Sequence, residues 1–136
     1  MEIVRLAPGQ EALLQRALTR FRGLDERADD RFLDDRANAA FVALLDGEPI
    51  GWAWGHEVLR PNGLTTFVLH EIEVDEGRRR DGVGRALLDA AAADARARGH
   101  VRMWLFHHAG SDVARRIHPG AGGEPGPRAG HWWVFE

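Results

Sequence analysis

The stretch from Thr66 to Gly99 constrains this chain most, because it reads as a strand, a turn and a helix in immediate succession. Phe67-Val-Leu-His-Glu-Ile-Glu-Val74 is β-branched, aromatic and apolar enough for a buried strand. From Val83 onward apolar residues recur at helical spacing, through Leu87, Leu88, Ala91 and Ala95. The run stops at Arg96, Arg98 and Gly99. Arginines in a last turn followed by glycine mark a helix C-terminus. Between strand and helix lies Asp75-Glu-Gly-Arg-Arg-Arg-Asp-Gly-Val-Gly-Arg85.

Two readings of that turn compete. In one it is a solvated basic turn that opens an ordinary helix. In the other it is an anion site, because unpaired backbone N–H groups and the positive end of the helix dipole point at whatever docks there. Gly82 and Gly84 would let the backbone approach a phosphate, and Arg79, Arg80 and Arg85 would add charge-assisted hydrogen bonds. The turn has no P-loop lysine and does not fit the dinucleotide-binding glycine pattern.

Arg79-Arg80-Asp81-Gly82-Val83-Gly84 matches the Arg/Gln-x-x-Gly-x-Gly/Ala signature of the GNAT acetyltransferase superfamily, in the strand–turn–helix context that signature requires. The resemblance extends upstream through Phe41-Val-Ala-Leu-Leu-Asp-Gly-Glu-Pro-Ile-Gly51 and Val58-Leu59-Arg60-Pro61. Across roughly residues 2 to 118 the chain resembles the aminoglycoside 3-N-acetyltransferases of gentamicin-resistance type. The resemblance implies an α/β fold: a mixed central sheet of six to seven strands, helices on both faces and a V-shaped acetyl-CoA cleft. It also implies direct transfer of an acetyl group from acetyl-CoA to a primary amine of a small cationic acceptor, with no metal.

A chain of 136 residues is expected to form one domain, spanning 1–136, with room for a real core. Its 44% apolar and 29% charged residues are ordinary for a globular protein. No run of about 18 apolar residues is present, and Met-Glu-Ile-Val-Arg5 lacks the layout of a signal peptide. A cytoplasmic protein that does not engage membranes is therefore expected. A net charge of −3 argues against a nucleic-acid partner. Three absences narrow the chemistry further. Without cysteine there is no disulfide, thiolate metal site or acetyl-cysteine intermediate. Without tyrosine a frequent general acid is missing. All 18 basic residues are arginine, a bias that a GC-rich genome explains as well as function does.

Along the chain, Glu2 to Leu6 alternates as a first strand, and Glu11 to Phe21 places Leu14, Leu18 and Phe21 on one helical face. Gly23 to Asp35 holds six acids (Asp25, Glu26, Asp29, Asp30, Asp34, Asp35) against two arginines. Such a run reads either as a solvated face or as a cation-attracting wall over a short helix anchored by Phe32 and Leu33. In the second reading Asp29 and Asp30 bind the acceptor. Asp46-Gly-Glu-Pro49 predicts a hairpin between Phe41–Leu45 and Ile50–Val58. Trp52 and Trp54 share one face of its second strand, as core packing or as a stacking surface. Arg60 to Gly63 makes the next turn. Val101 to Phe106 predicts a central strand parallel to Phe67–Val74, reached by a right-handed helical crossover.

Ser111-Asp112 could cap a further helix containing Ala114 and Ile117, but Pro119 should end it early. Five glycines and two prolines between Gly120 and Gly130 predict a mobile or irregular loop. His131-Trp-Trp-Val-Phe135 reads as an edge strand. Trp132 and Trp133 would suit a homodimer, and packing on the chain's own helix would suit them equally.

Amide formation from a thioester needs a positioned acyl donor, a neutral amine, help for the oxyanion and a proton for the leaving thiolate. The resemblance implies that the backbone of Ile72, Glu73 and Val74 holds the pantetheine arm. It implies likewise that Arg79, Arg80, Asp81, Gly82, Val83, Gly84 and Arg85 hold the pyrophosphate. Strand alternation predicts His70, Ile72 and Val74 on one face and Glu71 and Glu73 on the other. Glu71 stands where aminoglycoside-type relatives carry an acid beside the acceptor amine, so it ranks first for amine binding and deprotonation. His70 ranks second as base, against a plain role as a half-buried strand histidine. His118 stands at the usual tyrosine position as a candidate acid, with water as the alternative. His108 is a candidate contact to acceptor or cofactor. It adjoins His107, but no third ligand has convincing metal spacing.

Overall fold

The computed structural model describes residues 1–105. The expectations for His107, His108, the helix after Ser111, His118, the glycine-rich loop and the strand from His131 lie outside the described residues. Within them the order is β1 (Glu2–Arg5), α1 (Glu11–Phe21), β2 (Asn38–Leu45), β3 (Glu48–Leu59), β4 (Thr65–Val74), a single 3₁₀ turn (Glu76–Arg78), α2 (Val83–Ala97) and β5 (Arg102–Leu105). The five strands make one mixed sheet in the order β1-β2-β3-β4-β5. The first four pair antiparallel, and β4 pairs parallel with β5 from Thr66↔Arg102 to Leu69↔Leu105. A sheet of five strands is described, where six to seven were expected for the whole chain. The parallel pair across α2 is as expected.

Each helix covers one face. The α2 face packs Phe41, Ala43, Ala53, Phe67, Leu69 and Val74 against Val83, Leu87, Leu88, Ala91 and Ala95. Fully burying a side chain such as Leu87 stabilises by about 1.5–3 kcal/mol. The α1 face packs Leu14 and Ala17 against Val42 and Trp52, with Leu33 beneath the acidic segment. That segment forms turns where a short helix was expected, but Leu33 is buried and Phe32 meets Trp54 edge-on at 5.8 Å. The β2–β3 hairpin closes through Asp46 and Gly47, both at positive φ (50° and 79°), as tight two-residue turns require.

One irregularity positions the site. Trp54 faces Glu71 across the β3–β4 pair, but the next residue, Gly55, faces Leu69, so His70 is an extra residue in β4. The bulge inverts the alternation. Phe67 and Leu69 before it and Ile72 and Val74 after it all join the α2 core. The expected division of faces is therefore corrected. His70 stacks on Trp54 and His56, Glu71 lies opposite Trp54, and Glu73 lies opposite Trp52, so all three point to the α1 side. Gly55 permits this. A Cβ there would fall onto the Val68 carbonyl oxygen, with Leu69 Cα and Phe67 Cζ each at 2.9 Å.

Candidate functional site

The turn after β4 is built from its backbone. Arg78 N–H bonds to Asp75 O (2.8 Å) and Asp81 N–H to Arg78 O (3.1 Å), which winds the chain into Gly82. Gly82 is the N-cap of α2 at φ 78°, ψ 12°, a left-handed conformation that glycine adopts without steric cost. No side chain caps the helix, and a Cβ on Gly82 would meet nothing within 4 Å. The space beside Gly82 is thus open. The first α-helical bond is Ala86 N–H to Gly82 O (3.0 Å), and the N–H groups before it have no intrahelical acceptor. Val83 and Gly84 are buried and anchor the turn. Gly51 lets them approach, since a Cβ there would lie 2.8 Å from Val83 Cγ1.

Arg79 and Arg80 are exposed and make no ion pair among the described residues. Arg78 pairs with Asp81 (3.6 Å), and Arg85 with Asp89 (3.3 Å). The mostly apolar depression lined by Met1, Leu45, Ile50, Arg78, Asp81 and Val83 adjoins this turn but holds neither Glu71 nor His70. The acceptor chemistry is therefore sought on the other side of β4.

On that side the C-terminal end of α1 is tied to β4. Arg20 grips Asp75 with two hydrogen bonds (3.0 and 2.6 Å). Arg22 reaches Glu71 Oε2 at 3.4 Å, a loose contact by hydrogen-bond standards. Burial and the Glu71 carboxylate raise the Glu73 carboxyl above its ordinary value, while Arg22 and Arg79 oppose the shift. His70 stacks on Trp54 (4.9 Å between centroids), and its Nε2 lies 2.8 Å from His56 Nδ1. Burial lowers the His70 pKa first and the His56 charge second, with Glu71 acting in the opposite direction. This face combines carboxylates with an imidazole biased towards its neutral form. It can hold a cation and accept a proton.

The sequence-predicted residues thus divide into two groups. Glu71 and His70 come together, which alternation did not predict, and the side chain of Glu73 joins them. Arg79, Arg80, Gly82, Val83, Gly84 and Arg85 cluster at the helix start as expected. Ile72 and Val74 point into the α2 core, which leaves their backbone for any ligand contact. Described pairing along the β5 edge of β4 ends at Leu69. Asp29 is occupied by Arg31, which bonds both its carboxylate oxygens (3.0 and 2.8 Å) and holds its carboxyl below the usual range. Asp30 is exposed, and neither acid contacts Glu71. Sequence reasoning missed Arg22, His56 and the bulge. An isolated glycine inside a strand, here Gly55 between Trp54 and His56, was the available signal.

The strand–turn–helix geometry agrees with what a family comparison finds. The model of the acetyltransferase (GNAT) family matches residues 11–119. The chain belongs to that family. GNAT proteins use acetyl-CoA, so this chain is an acetyl-CoA-dependent acyltransferase by membership. No curated protein sequence matches it significantly.

Solved structures show the same fold at low identity. The aminoglycoside acetyltransferase meta-AAC0020 from an uncultured soil metagenomic sample, in complex with sisomicin, is 16% identical with a TM-score of 0.86. That match covers 99% of this chain and 95% of the other. The ribosomal-protein-alanine N-acetyltransferase of Brucella melitensis biovar Abortus 2308 is 21% identical with a TM-score of 0.77, covering 99% and 100%. AAC(6')-Iy, in complex with the bisubstrate analog CoA-S-monomethyl-acetylneamine, is 19% identical with a TM-score of 0.78, covering 98% and 97%. At these identities the likeness is one of fold.

The GNAT residues present fit a CoA pyrophosphate. Open space lies over Gly82, uncapped N–H groups surround it, and two exposed arginines flank it. No group of three or more His, Cys, Asp or Glu side chains among the described residues could hold a metal ion. None of the described helices is long and apolar enough to cross a membrane.

Proposed function

We propose that this GNAT protein transfers an acetyl group directly from acetyl-CoA to a primary amine of a small cationic acceptor. The observation that carries this reading is the shared face of β4. The bulge sets Glu71, Glu73 and His70 on one face of the strand that leads into the Gly82 turn. A carboxylate pair attracts an ammonium, and a partly buried setting strengthens that attraction. When bound, acetyl-CoA supplies the activated acyl group. The chain supplies the rest. The N–H groups of Val83, Gly84 and Arg85, with Arg79 and Arg80, hold the pyrophosphate. The backbone of Ile72 to Val74 holds the pantetheine arm. Glu71 releases Arg22 and binds the acceptor ammonium, and Glu71, or His70 on the same face, takes its proton.

Within that class an aminoglycoside acetylated at a 3-amino group is the finest reading the resemblance supports. One solved neighbour is bound to sisomicin and another is of the 6' type, so the position of acetylation is the open choice. Amino-terminal peptides are the second reading, because another neighbour is a ribosomal-protein-alanine N-acetyltransferase. His108 as an acceptor contact and His118 as the proton donor to the thiolate complete the proposed site.

The test is coenzyme A release from acetyl-CoA across aminoglycosides, polyamines, arylalkylamines and amino-terminal peptides. Turnover is expected on a polycationic amine. Glu71→Gln should lower kcat about 100- to 10,000-fold while acetyl-CoA affinity stays intact. Saturable acetyl-CoA binding without turnover on any acceptor would instead favour a non-catalytic acyl-CoA-binding module, or an acceptor outside this panel.

A further inference from the structure

We propose that His56, on β3, is the positioning residue that turns His70 into the proton acceptor of this site. The inference rests on the acetyl-transfer reading above and assigns the deprotonation step within it. The two imidazoles lie nearly parallel (11°) with centroids 4.7 Å apart and His70 Nε2 2.8 Å from His56 Nδ1. At that distance one nitrogen must donate and the other accept, so the pair does not hold a proton on both facing nitrogens. When His70 donates from Nε2–H to His56 Nδ1, its own Nδ1 carries an outward lone pair. That nitrogen has no hydrogen-bond partner among the described residues. It shares the α1 face with Glu71 because of the bulge. His56 thus fixes the tautomer of His70 as a hydrogen-bond acceptor behind a catalytic imidazole does.

The surroundings suit the role. Trp54 also stacks against His70 and restrains its ring. Among the described residues the carboxylate acting on the pair is Glu71 on the same strand, which Arg22 from the end of α1 engages in turn. Across β3 from His56 stands the neutral Asn38, whose amide donates to the Phe32 carbonyl (3.1 Å). Burial first and His56 second bias His70 towards its neutral form, with Glu71 opposing them.

In the step itself an N–H bond of the bound ammonium breaks and its electron pair stays on the amine nitrogen. A new N–H bond forms at His70 Nδ1. The resulting imidazolium keeps its Nε2–H directed at His56 Nδ1, which holds the ring in place, and it faces the Glu71 carboxylate, which favours the charged form. After acyl transfer the proton leaves to solvent. Glu71 holds the cation and His70 takes the proton.

Two substitutions at His56 predict opposite outcomes for positioning and for mere packing. His56→Phe keeps a stacked ring but removes the acceptor. His56→Gln loses the ring but keeps a carbonyl acceptor for His70 Nε2–H. Positioning predicts that His56→Phe lowers kcat about 10- to 100-fold, with KM for acetyl-CoA unchanged and the acidic limb of the pH profile displaced. It also predicts that His56→Gln regains most of the rate. Wild-type kcat and pH profile in His56→Phe would overturn the role while leaving the acetyl-transfer reading intact.

A wild-type chain that acetylates no amine would overturn both. Should His56→Phe fail to fold, nitrogen-15 histidine spectra of the wild-type chain decide. The Nε2–H tautomer of His70 above its titration supports the role, and the Nδ1–H tautomer overturns it.

Discussion

The two faces of β3 and β4 use the same strands for opposite purposes. Towards α2 the sheet is apolar and closely fitted, with Ala53, Phe67, Leu69 and Gly51 meeting Val83, Leu87 and Ala91, and Gly55 close against β4. Towards α1 the same strands carry Trp54, His56, His70, Glu71 and Glu73, and several of these groups remain partly exposed. The dry face fixes the backbone, and the polar face spends that rigidity on orienting side chains. A single extra residue, His70, joins the two roles. It leaves the α2 core continuous before and after the bulge while bringing His70 onto the face of Glu71.

Gly55→Ala should break this arrangement most severely. Its Cβ would strike the backbone of the bulge, which cannot move without losing the register. A loss of about 3 kcal/mol in denaturant unfolding is expected. The change should abolish turnover in the fraction that still folds. Full stability and full activity would show that the bulge does not depend on that glycine.

Gly51→Ala probes the same dry face with a smaller effect. There the conflicting atoms are side-chain ends, Val83 Cγ1 at 2.8 Å and Leu87 Cδ1 at 3.1 Å, with the Glu73 carbonyl oxygen at 3.3 Å. A cost of about 1 kcal/mol is expected. Because Val83 carries the start of α2, acetyl-CoA affinity should weaken alongside stability, measured by titration calorimetry. Unchanged affinity would separate the packing of α2 from the ligand turn.

The smallest effect belongs to the polar face and has the opposite sign. Burial first and the Glu71 carboxylate second raise the folded-state pKa of Glu73 above its ordinary 4.5. Its contribution to stability is therefore fully present below that value and is lost as pH rises through the folded one. Ionising Glu73 beside Glu71 therefore burdens the fold. Glu73→Gln should raise Tm by about 1–2 °C at pH 7, and the gain should vanish below pH 4.5. His70, with its pKa lowered from 6.5, behaves in the reverse sense: its contribution is present above 6.5 and lost as pH falls. A Glu73→Gln gain independent of pH would assign the effect to something other than charge.

Much of this was legible in the residues. Helix α1 spans Glu11–Phe21 as its periodicity predicts, and α2 begins at Val83, directly after the glycine that its motif requires. The Asp46-Gly47 hairpin and the parallel return to β5 also follow from local pattern. The uncapped glycine turn before α2 was legible for the same reason: backbone conformation and helix polarity are properties of a short segment. The faces of β4 were not legible. Alternation holds only in a regular ladder, and whether a ladder is regular depends on the partner strand.

The sequence by itself determined a strand–turn–helix unit with an open N-terminus, a family signature in that unit, and a helix for each face of a sheet. These follow from φ/ψ preferences and apolar spacing, which act over a few residues. Tertiary structure alone decided that His70 and Glu71 face the same way, that Arg22 meets Glu71 and that His56 meets His70. Those contacts join residues 14 to 49 positions apart. They depend on Gly55 leaving room for one extra residue in the neighbouring strand, a steric fact that exists only once the two strands are paired.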